Sequence, residues 1–504
     1  MTNHLFDALL ARGVDDDGPF LYLPDGTHRT YRDIVSLSGR FATVLVDHGA
    51  RPGDRVAVQV QKSPEALALC FACVRAGLAL VPLNPAYTMT EVGYFVGDAE
   101  PVIFVGDGAR AGELASITDQ QGIVLFTLNA DGSGTLIDQA QRVGELAPQP
   151  RAGGDLAGIL YTSGTTGRSK GAMLSHENLL SNALSLAEDW RFTEDDVLLH
   201  ALPIFHTHGL FVAVNVILAA GGSMIFLPRF DTTEVIRLLP RATTMMGVPT
   251  FYTRLLAHPD FASDLVGHMR LFVSGSAPLH PDTHTEFVSR TGMRILERYG
   301  MTETSMIASN PYDGERRAGT VGFALPRVEI RVVDPETGVE VAPGSVGIIE
   351  VSGPNVFGGY WRMPGKTAEE FRPDGYFITG DLGLIDPDGY LQIAGRGKDL
   401  IISGGFNVYP KEVETEIDAI DGVIESAVIG VPHADFGEGV AAVVVAEPGA
   451  EIDETGVLRA LADRLARFKQ PQRVVFSDEL PRNTMGKVQK SLLRRQHHTL
   501  FDNE

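Results

Sequence analysis

Short β-branched runs alternate with longer stretches of apolar residues at helical spacing through the first part of the chain. Asp54–Val60 (DRVAVQV), Pro101–Asp107 (PVIFVGD) and Gly122–Leu128 (GIVLFTL) read as strands, and LALVPLNP as a strand running into a turn. Ser63–Gly77 (SPEALALCFACVRAG) reads as a helix, with Ser63 placed to cap the first amides and Pro64 in the first turn. Strand–helix alternation of this kind predicts parallel sheets joined by crossover helices. Past about residue 320 the texture changes. Turns such as DPETG, PDG and DPDGY separate the short strands VEIRVVD, VGIIEVSG and YLQIAG, as in a small antiparallel β unit. From Lys398 onward helix signals return in YPKEVETEIDAI, VIESAVIGVP and TGVLRALADRLARF. The expected architecture is a multidomain α/β (α+β) chain. Residues 1–397 form a large N-terminal region of two αβ sheet subdomains plus a small β-barrel-like unit, and residues 398–504 a small α+β C-terminal domain.

Composition narrows the function. A chain of 504 residues is too long for one core. Its 44% hydrophobic and 21% charged residues are those of a globular protein rather than a disordered one. The net charge of −22 argues against a nucleic-acid partner, which needs a basic face; any anionic ligand requires a local positive field. Two cysteines exclude a disulfide framework and fit a reducing, cytoplasmic compartment. The N-terminus lacks a basic segment followed by an apolar run and carries Asp15, Asp16 and Asp17, so no targeting peptide is read there. Leu210–Ala220, the most apolar stretch, holds Asn215 and is too short for ~30 Å of hydrocarbon, so it reads as a buried helix and no membrane is expected.

The sharpest motif is YTSGTTGRSKG, Tyr161–Gly171, entered by the apolar run LAGILYT and followed by MLSHENLLSNAL, read as a helix. Its glycines permit tight turns, its hydroxyls and amides suit a polyphosphate, and Lys170 supplies a point charge. The spacing of Gly167, Lys170 and Gly171 is not that of a P-loop. Alone, the loop is equally a polar surface turn. Four further motifs follow in order: Tyr299–Glu303 (YGMTE), Tyr376–Leu382 (YFITGDL), Gly395–Leu400 (GRGKDL) and Pro481–Lys487 (PRNTMGK).

Together these five motifs, spread over nearly the whole chain, resemble the adenylate-forming superfamily of acyl-CoA synthetases, peptide-synthetase adenylation domains and luciferases. The resemblance implies ATP, Mg²⁺ and coenzyme A as partners: a carboxylate is joined to AMP with loss of pyrophosphate, and a thiol then displaces AMP. By matching position, Thr162, Ser163, Gly164, Thr165, Thr166, Gly167 and Lys170 hold phosphates. Ser276 and Ala277, together with Glu297, Arg298, Tyr299, Gly300, Met301 and Thr302, line the nucleotide, with Tyr299 against adenine and Thr302 near the α-phosphate. Glu303, with Thr166, matches the Mg²⁺ site, as suits hard oxygens. Asp381 matches the ribose acceptor and Arg396 a phosphate or ribose contact. Lys487 matches the lysine that bridges carboxylate and α-phosphate, where a cation offsets the repulsion between two anions. The family's C-terminal domain is mobile, hinging at the position of Lys398, and Gly404 and Gly405 match its thiol tunnel. Relatives are also controlled by acylation of the matching lysine, which makes a protein acetyltransferase a candidate partner for Lys487.

The acid is read from two pocket segments, LPIFHTHGLF (Leu202–Phe211) and GVPTFYTRLL (Gly247–Leu256). A guanidinium such as that of Arg254 in an apolar pocket needs a partner, and a second substrate carboxylate is the natural one. With the paired histidines and the SGSAPL run (Ser274–Leu279), the pattern looks like malonyl-CoA synthetases. The expectation is a malonate:CoA ligase, tolerant of methylmalonate, with Arg254 on the distal carboxylate and His206 and Ser276 assisting. Competing readings are a surface role for Arg254, a fatty-acyl- or aryl-CoA ligase, a carrier-protein-loading enzyme, and a catalytically dead nucleotide-binding module. His200, His206 and His208 as a metal site, or Cys70 and Cys73 as a redox or zinc pair, compete with a substrate role and a buried helix face respectively.

Overall fold

The computed structural model describes residues 2–162, 169–403, 406–433, 436–462, 464–465, 467–483 and 486–501. The chain divides into two compact units: Met1–Ala318 with Gly322–Glu329 and Val351–Phe377, and Gly319–Val321 with Ile330–Glu350 and Ile378–Glu504.

The first unit holds two large sheets. In the six-stranded one, Val124–Thr127, Ile103–Gly106, Arg55–Gln59, Ala79–Pro82 and Leu156–Thr162 run parallel, and Lys170–Ser175 closes one edge antiparallel to Leu156–Thr162. The predicted capped helix is Pro64–Ala76; Ser63 accepts from the Ala66 amide, and Gly77 ends it in a left-handed turn. Cys70 and Cys73 are buried and free on its core face, where burial pushes the Cys70 thiol up to about 12. The nine-stranded sheet has a parallel centre: Leu296–Met301, Leu271–Ser274, Thr244–Gly247, Val197–His200, Ser223–Phe226 and Pro19–Tyr22. The four strands from Val197–His200 to Leu271–Ser274 are almost wholly buried, which explains their continuous apolar reading.

Most of the four-stranded sheet Glu329–Val333, Gly347–Ser352, Phe377–Ile385 and Leu391–Arg396, where short strands were expected, belongs to the second unit. Its C-terminal part is a five-stranded sheet packed with the helices Pro410–Asp418, Glu454–Leu461 and Lys490–Gln496.

Three local readings are corrected. Met173–Ser175 is the end of a strand, and the helix starts at His176 behind a Ser175 capping box. VIESAVIGVP is not helical: Val423–His433 is a strand paired along Gly437–Ala446. Ala427, Ile429 and Val431 enter one core and Val428 the other, so both faces are apolar and period-2 alternation vanishes. The helix in TGVLRALADRLARF ends at Leu461. Leu210–Ala220 is buried helix as expected, but it begins as a wide π turn, His208–Val214, before continuing as α-helix. No described helix is long and apolar enough to cross a membrane.

Candidate active site

Parallel strands end on one edge of a sheet, where ligands of α/β folds bind. Register brings His200 beside Met246 and Phe226, Gly247 beside Ser274, and Ser274 beside Glu297 at that edge. His206, Ser276, Ala277 and the Glu297–Glu303 segment follow from these strands, whereas Thr162 and Lys170 belong to the six-stranded sheet and Arg254 to a helix.

The YGMTE motif forms a hairpin. Leu296–Met301 turns through Thr302–Thr304 into the antiparallel strand Ser305–Ser309. A β-carbon at Gly300 would stand 2.0 Å from the Ser305 carbonyl oxygen, so only glycine lets the strands approach this closely. Thr302 is half-buried at the tip. Glu303 is 5% exposed, and its Oε1 accepts from the Tyr360 hydroxyl at 3.0 Å and from Thr162 Oγ1 at 3.4 Å. Burial pushes the Glu303 carboxyl up. Thr162 and Lys170 face each other across the base of the Gly-rich loop. Ser163, Gly164, Thr165, Thr166 and Gly167 lie outside the described residues. Lys170 Nζ donates to Glu370 Oε1 at 2.8 Å and sits 4.0 Å over the Tyr360 ring. Tyr360 also reaches Glu370 Oε2 at 2.6 Å. Burial opposes the Glu370 charge, but Lys170, Tyr360 and Lys366 outweigh it and hold the carboxyl below its usual range. The fold thus gathers Lys170, Glu303 and the base of the loop, the residues expected at the phosphates and Mg²⁺, around Tyr360. The buried Glu303 oxygens and the Thr162 hydroxyl are hard donors that fit Mg²⁺. Sequence reasoning missed Tyr360 and Glu370. The only signal was the Gly358–Gly359 pair, of which Gly359 takes φ 124°.

The second cluster surrounds Arg298. This arginine is 4% exposed, and its Nε and Nη2 have no hydrogen-bond partner among the described residues. Burial pushes the guanidinium down to about 9, still a cation at neutral pH. It lies flat on Gly275, where a β-carbon would come within 2.3 Å of its Cζ. His206 and His208 are its neighbours. Burial first, then the Arg298 charge, lowers His206 to about 4 and His208 well below the usual range, so both rings are neutral. His208 Nδ1 is 3.1 Å from Ser276 Oγ, and Ser276 adopts φ 71°. His206 and Ser276 were expected to assist on the distal carboxylate; in the fold the side chain that meets Ser276 is that of His208. Ala277 follows half-buried, while Glu297 and Tyr299 are buried beside Arg298 in the strand. Arg254 lies on the helix Pro249–Leu256, which buries Tyr252, Leu255 and Leu256; its own side chain is exposed and makes no hydrogen bond or ion pair among the described residues. Among the described residues no three His, Cys, Asp or Glu side chains form a metal-binding group.

The second unit carries the remaining expected groups. Asp381 is buried and faces Arg396 across adjacent strands, with Oδ1 3.3 Å from the arginine Nε. Lys398 falls in the single turn Gly397–Asp399. Gly404 and Gly405 lie outside the described residues. Lys487 ends a tight turn: its amide donates to Asn483 Oδ1 at 2.9 Å, its carbonyl accepts from the Asn483 amide at 2.9 Å, and an Arg482–Val488 bridge closes the base.

A strand-edge site with a buried carboxylate, together with the ordered sequence motifs, is that of an adenylate-forming acyl-CoA ligase. Residues 12–361 match the AMP-binding enzyme family and residues 412–487 the AMP-binding enzyme C-terminal domain, and the chain belongs to this family. It is 58% identical to ATP-bound MatB from Rhodopseudomonas palustris, with a TM-score of 0.98 over 99% of this chain and 100% of that one. It is 36% identical to a feruloyl-CoA synthase of Amycolatopsis sp over 94% of each chain. It is 33% identical to a malonate–CoA ligase of Arabidopsis thaliana over 92% of this chain and 81% of that one.

Proposed function

We propose that the chain is an ATP-dependent malonate–CoA ligase, with methylmalonate as a further substrate, acting in a reducing cytoplasmic compartment. The observation that carries this reading is Arg298. A buried guanidinium with unpaired donors is costly unless an anion completes it, and a monocarboxylic acid has none left once its carboxylate reacts. A dicarboxylic acid brings a second. In this reading the distal carboxylate pairs with Arg298 and accepts from Ser276, while neutral His206 and His208 shape the walls. This assigns to Arg298 the role expected of Arg254, which is kept as a second contact at most. The likeness to MatB and to a malonate–CoA ligase supports the same acid.

The reacting carboxylate oxygen attacks the α-phosphorus of ATP, pyrophosphate leaves, and the acyl-adenylate forms. The coenzyme A thiolate then attacks the acyl carbon and AMP departs. Lys487 bridges the two anions in the first step. Lys170 with the loop 162–167 holds the outer phosphates, Thr302 the α-phosphate, Tyr299 the adenine, and Asp381 with Arg396 the ribose. Glu303, with Thr162 or Thr166, would hold Mg²⁺, which neutralises phosphate charge when bound. Gly404 and Gly405 border the thiol, and Lys398 is the hinge.

An equimolar mixture of malonate, methylmalonate, succinate, acetate, butyrate, octanoate and 4-coumarate with ATP, Mg²⁺ and coenzyme A tests this. Mass spectrometry should find malonyl-CoA dominant. Arg298→Met should raise KM for malonate roughly 100-fold while leaving KM for ATP nearly unchanged, because the loss is one charge-assisted pair. Arg254→Ala should cost much less. A dominant monocarboxylate, as the likeness to feruloyl-CoA synthase would favour, sinks the reading. Pyrophosphate release without thioester would point to a carrier-protein acceptor.

A further inference from the structure

Lys62 follows the strand Arg55–Gln59 in the loop before the helix Pro64–Ala76, and none of the family motifs includes it. Part of its side chain remains accessible, but the amine end is enclosed. Nζ is 2.7 Å from His200 Nδ1 and 2.9 Å from the His200 carbonyl oxygen, and it stands 4.2 Å over the Phe226 ring. No carboxylate pairs with it among the described residues. A lysine in such a place is costly: burial drives its pKa well below the usual range. A surface role does not explain it.

The hydrogen-bond chain continues beyond His200. The opposite ring nitrogen, Nε2, is 2.9 Å from the Gly209 carbonyl oxygen. That oxygen can only accept, so Nε2 carries the proton and Nδ1 presents its lone pair to Lys62. Burial and the Lys62 charge both keep the ring neutral, consistent with this tautomer. His200 ends the strand Val197–His200, and Gly209 lies in the first turn of the wide helix His208–Val214. Gly209 is fixed from its other side as well, since a β-carbon there would stand 2.0 Å from the Pro203 carbonyl oxygen. The chain Lys62–His200–Gly209 therefore ties together the two ends of the segment 201–208, which carries His206 and His208. It reaches across from the six-stranded sheet to the nine-stranded one.

We infer that Lys62 is a positioning residue for the acyl site, bracing the 201–208 loop through His200 so that His206 and His208 stand beside Arg298 and Ser276. It acts through His200 and touches no reacting atom. Because the brace grips the acyl loop and not the nucleotide hairpin, its loss falls on the acid and spares ATP. The inference rests on the reading that this loop borders the acyl group, not on which acid is bound.

The test is steady-state kinetics on the intact enzyme, with KM for the acid and for ATP measured separately by pyrophosphate release. Lys62→Met keeps the stem and removes the donors. It should raise KM for the acid roughly tenfold or more, with KM for ATP within about twofold, as expected when a supporting group lets a binding loop drift by a fraction of an ångström. Lys62→Arg should recover part of the loss. His200→Gln should show the same split, and the double variant should be no worse than the worse single one, because both sit on one chain. Unchanged KM for the acid overturns the inference. So does a parallel rise in both KM values with a fall in Tm, which would mean a purely structural lysine. Additive effects in the double variant also overturn it. If Lys62→Met does not fold, the Lys62→Arg and His200→Gln pair must give the split and the non-additivity. The assay uses malonate and, separately, whichever acid wins the competition experiment. A KM split seen only with another acid keeps the brace and discards malonate.

Discussion

His176 shows what a single buried polar side chain does to the whole protein. It opens the helix His176–Asp189 with no accessible surface, and neither ring nitrogen has a partner among the described residues. Burial first, then the Arg151 charge, lowers its pKa to about 4 from a free value near 6.5. Above pH 6.5 the ring is neutral in folded and unfolded chains alike, and the group contributes no pH dependence. Below it the unfolded chain takes up a proton that the folded chain refuses, so stability falls as pH drops from 6.5 toward 4, by up to about 3 kcal/mol. Thermal melts across that range should show a smaller acid-side fall in Tm for His176→Phe than for the parent. Parallel curves would mean that the ring finds a proton-accepting partner when charged. His206 and His208 are lowered in the same direction, by burial first and then by the Arg298 charge.

At the scale of elements, the informative unit is the pair of hairpins that meet at Tyr360. One carries Thr162 and Lys170, the other Thr302 and Glu303. The Tyr360 hydroxyl lies within hydrogen-bond distance of both Glu303 and Glu370, and Glu370 in turn holds Lys170. Phe357 adds a backbone tie, its amide donating to the Glu303 carbonyl at 2.8 Å. Tyr360→Phe removes a hydrogen bond shared by two carboxylates and leaves the ring beneath Lys170. KM for ATP at saturating Mg²⁺ should rise by about tenfold, the weight of a hydrogen bond to a charged group, while KM for the acid stays put. An equal rise for both substrates would show that Tyr360 supports the fold rather than the phosphate end.

For the whole molecule, the proposed chemistry divides between two units, with Glu303 and Lys170 in one and Asp381, Arg396 and Lys487 in the other. Two half-reactions can then be separated by substitution. Lys487→Ala should slow pyrophosphate release by about a thousandfold, as for loss of a preorganised charge at the reacting phosphate. It should still convert supplied malonyl-adenylate and coenzyme A to thioester. Equal damage to both steps would remove Lys487 from the adenylation role. Acylation of Lys487, verified by intact mass, should copy the alanine variant in the first step. Full adenylation activity in the acylated protein would end the proposal of acetyltransferase control. The overall charge of −22 makes these local cations matter, because each must hold an anion against an acidic background.

Sequence alone determined the strand–helix alternation, the Ser63 cap and the family, because each depends on neighbours in the chain: period, turn chemistry and contiguous motifs. It misread Val423–His433, where burial on both faces erased the alternation that marks a strand. It singled out Arg254 in an apolar segment, but could not see that Arg254 is exposed while Arg298, expected at the nucleotide, is buried. Glu370 and Lys62 carried no local signal, and Tyr360 only the Gly358–Gly359 pair before it. Lys62 and His200 lie 138 positions apart, and Lys170 and Glu370 lie 200 apart. Burial and partnership at such separations follow from how strands pair and sheets pack, so only the tertiary structure decides which charged side chains are buried and which partners they meet.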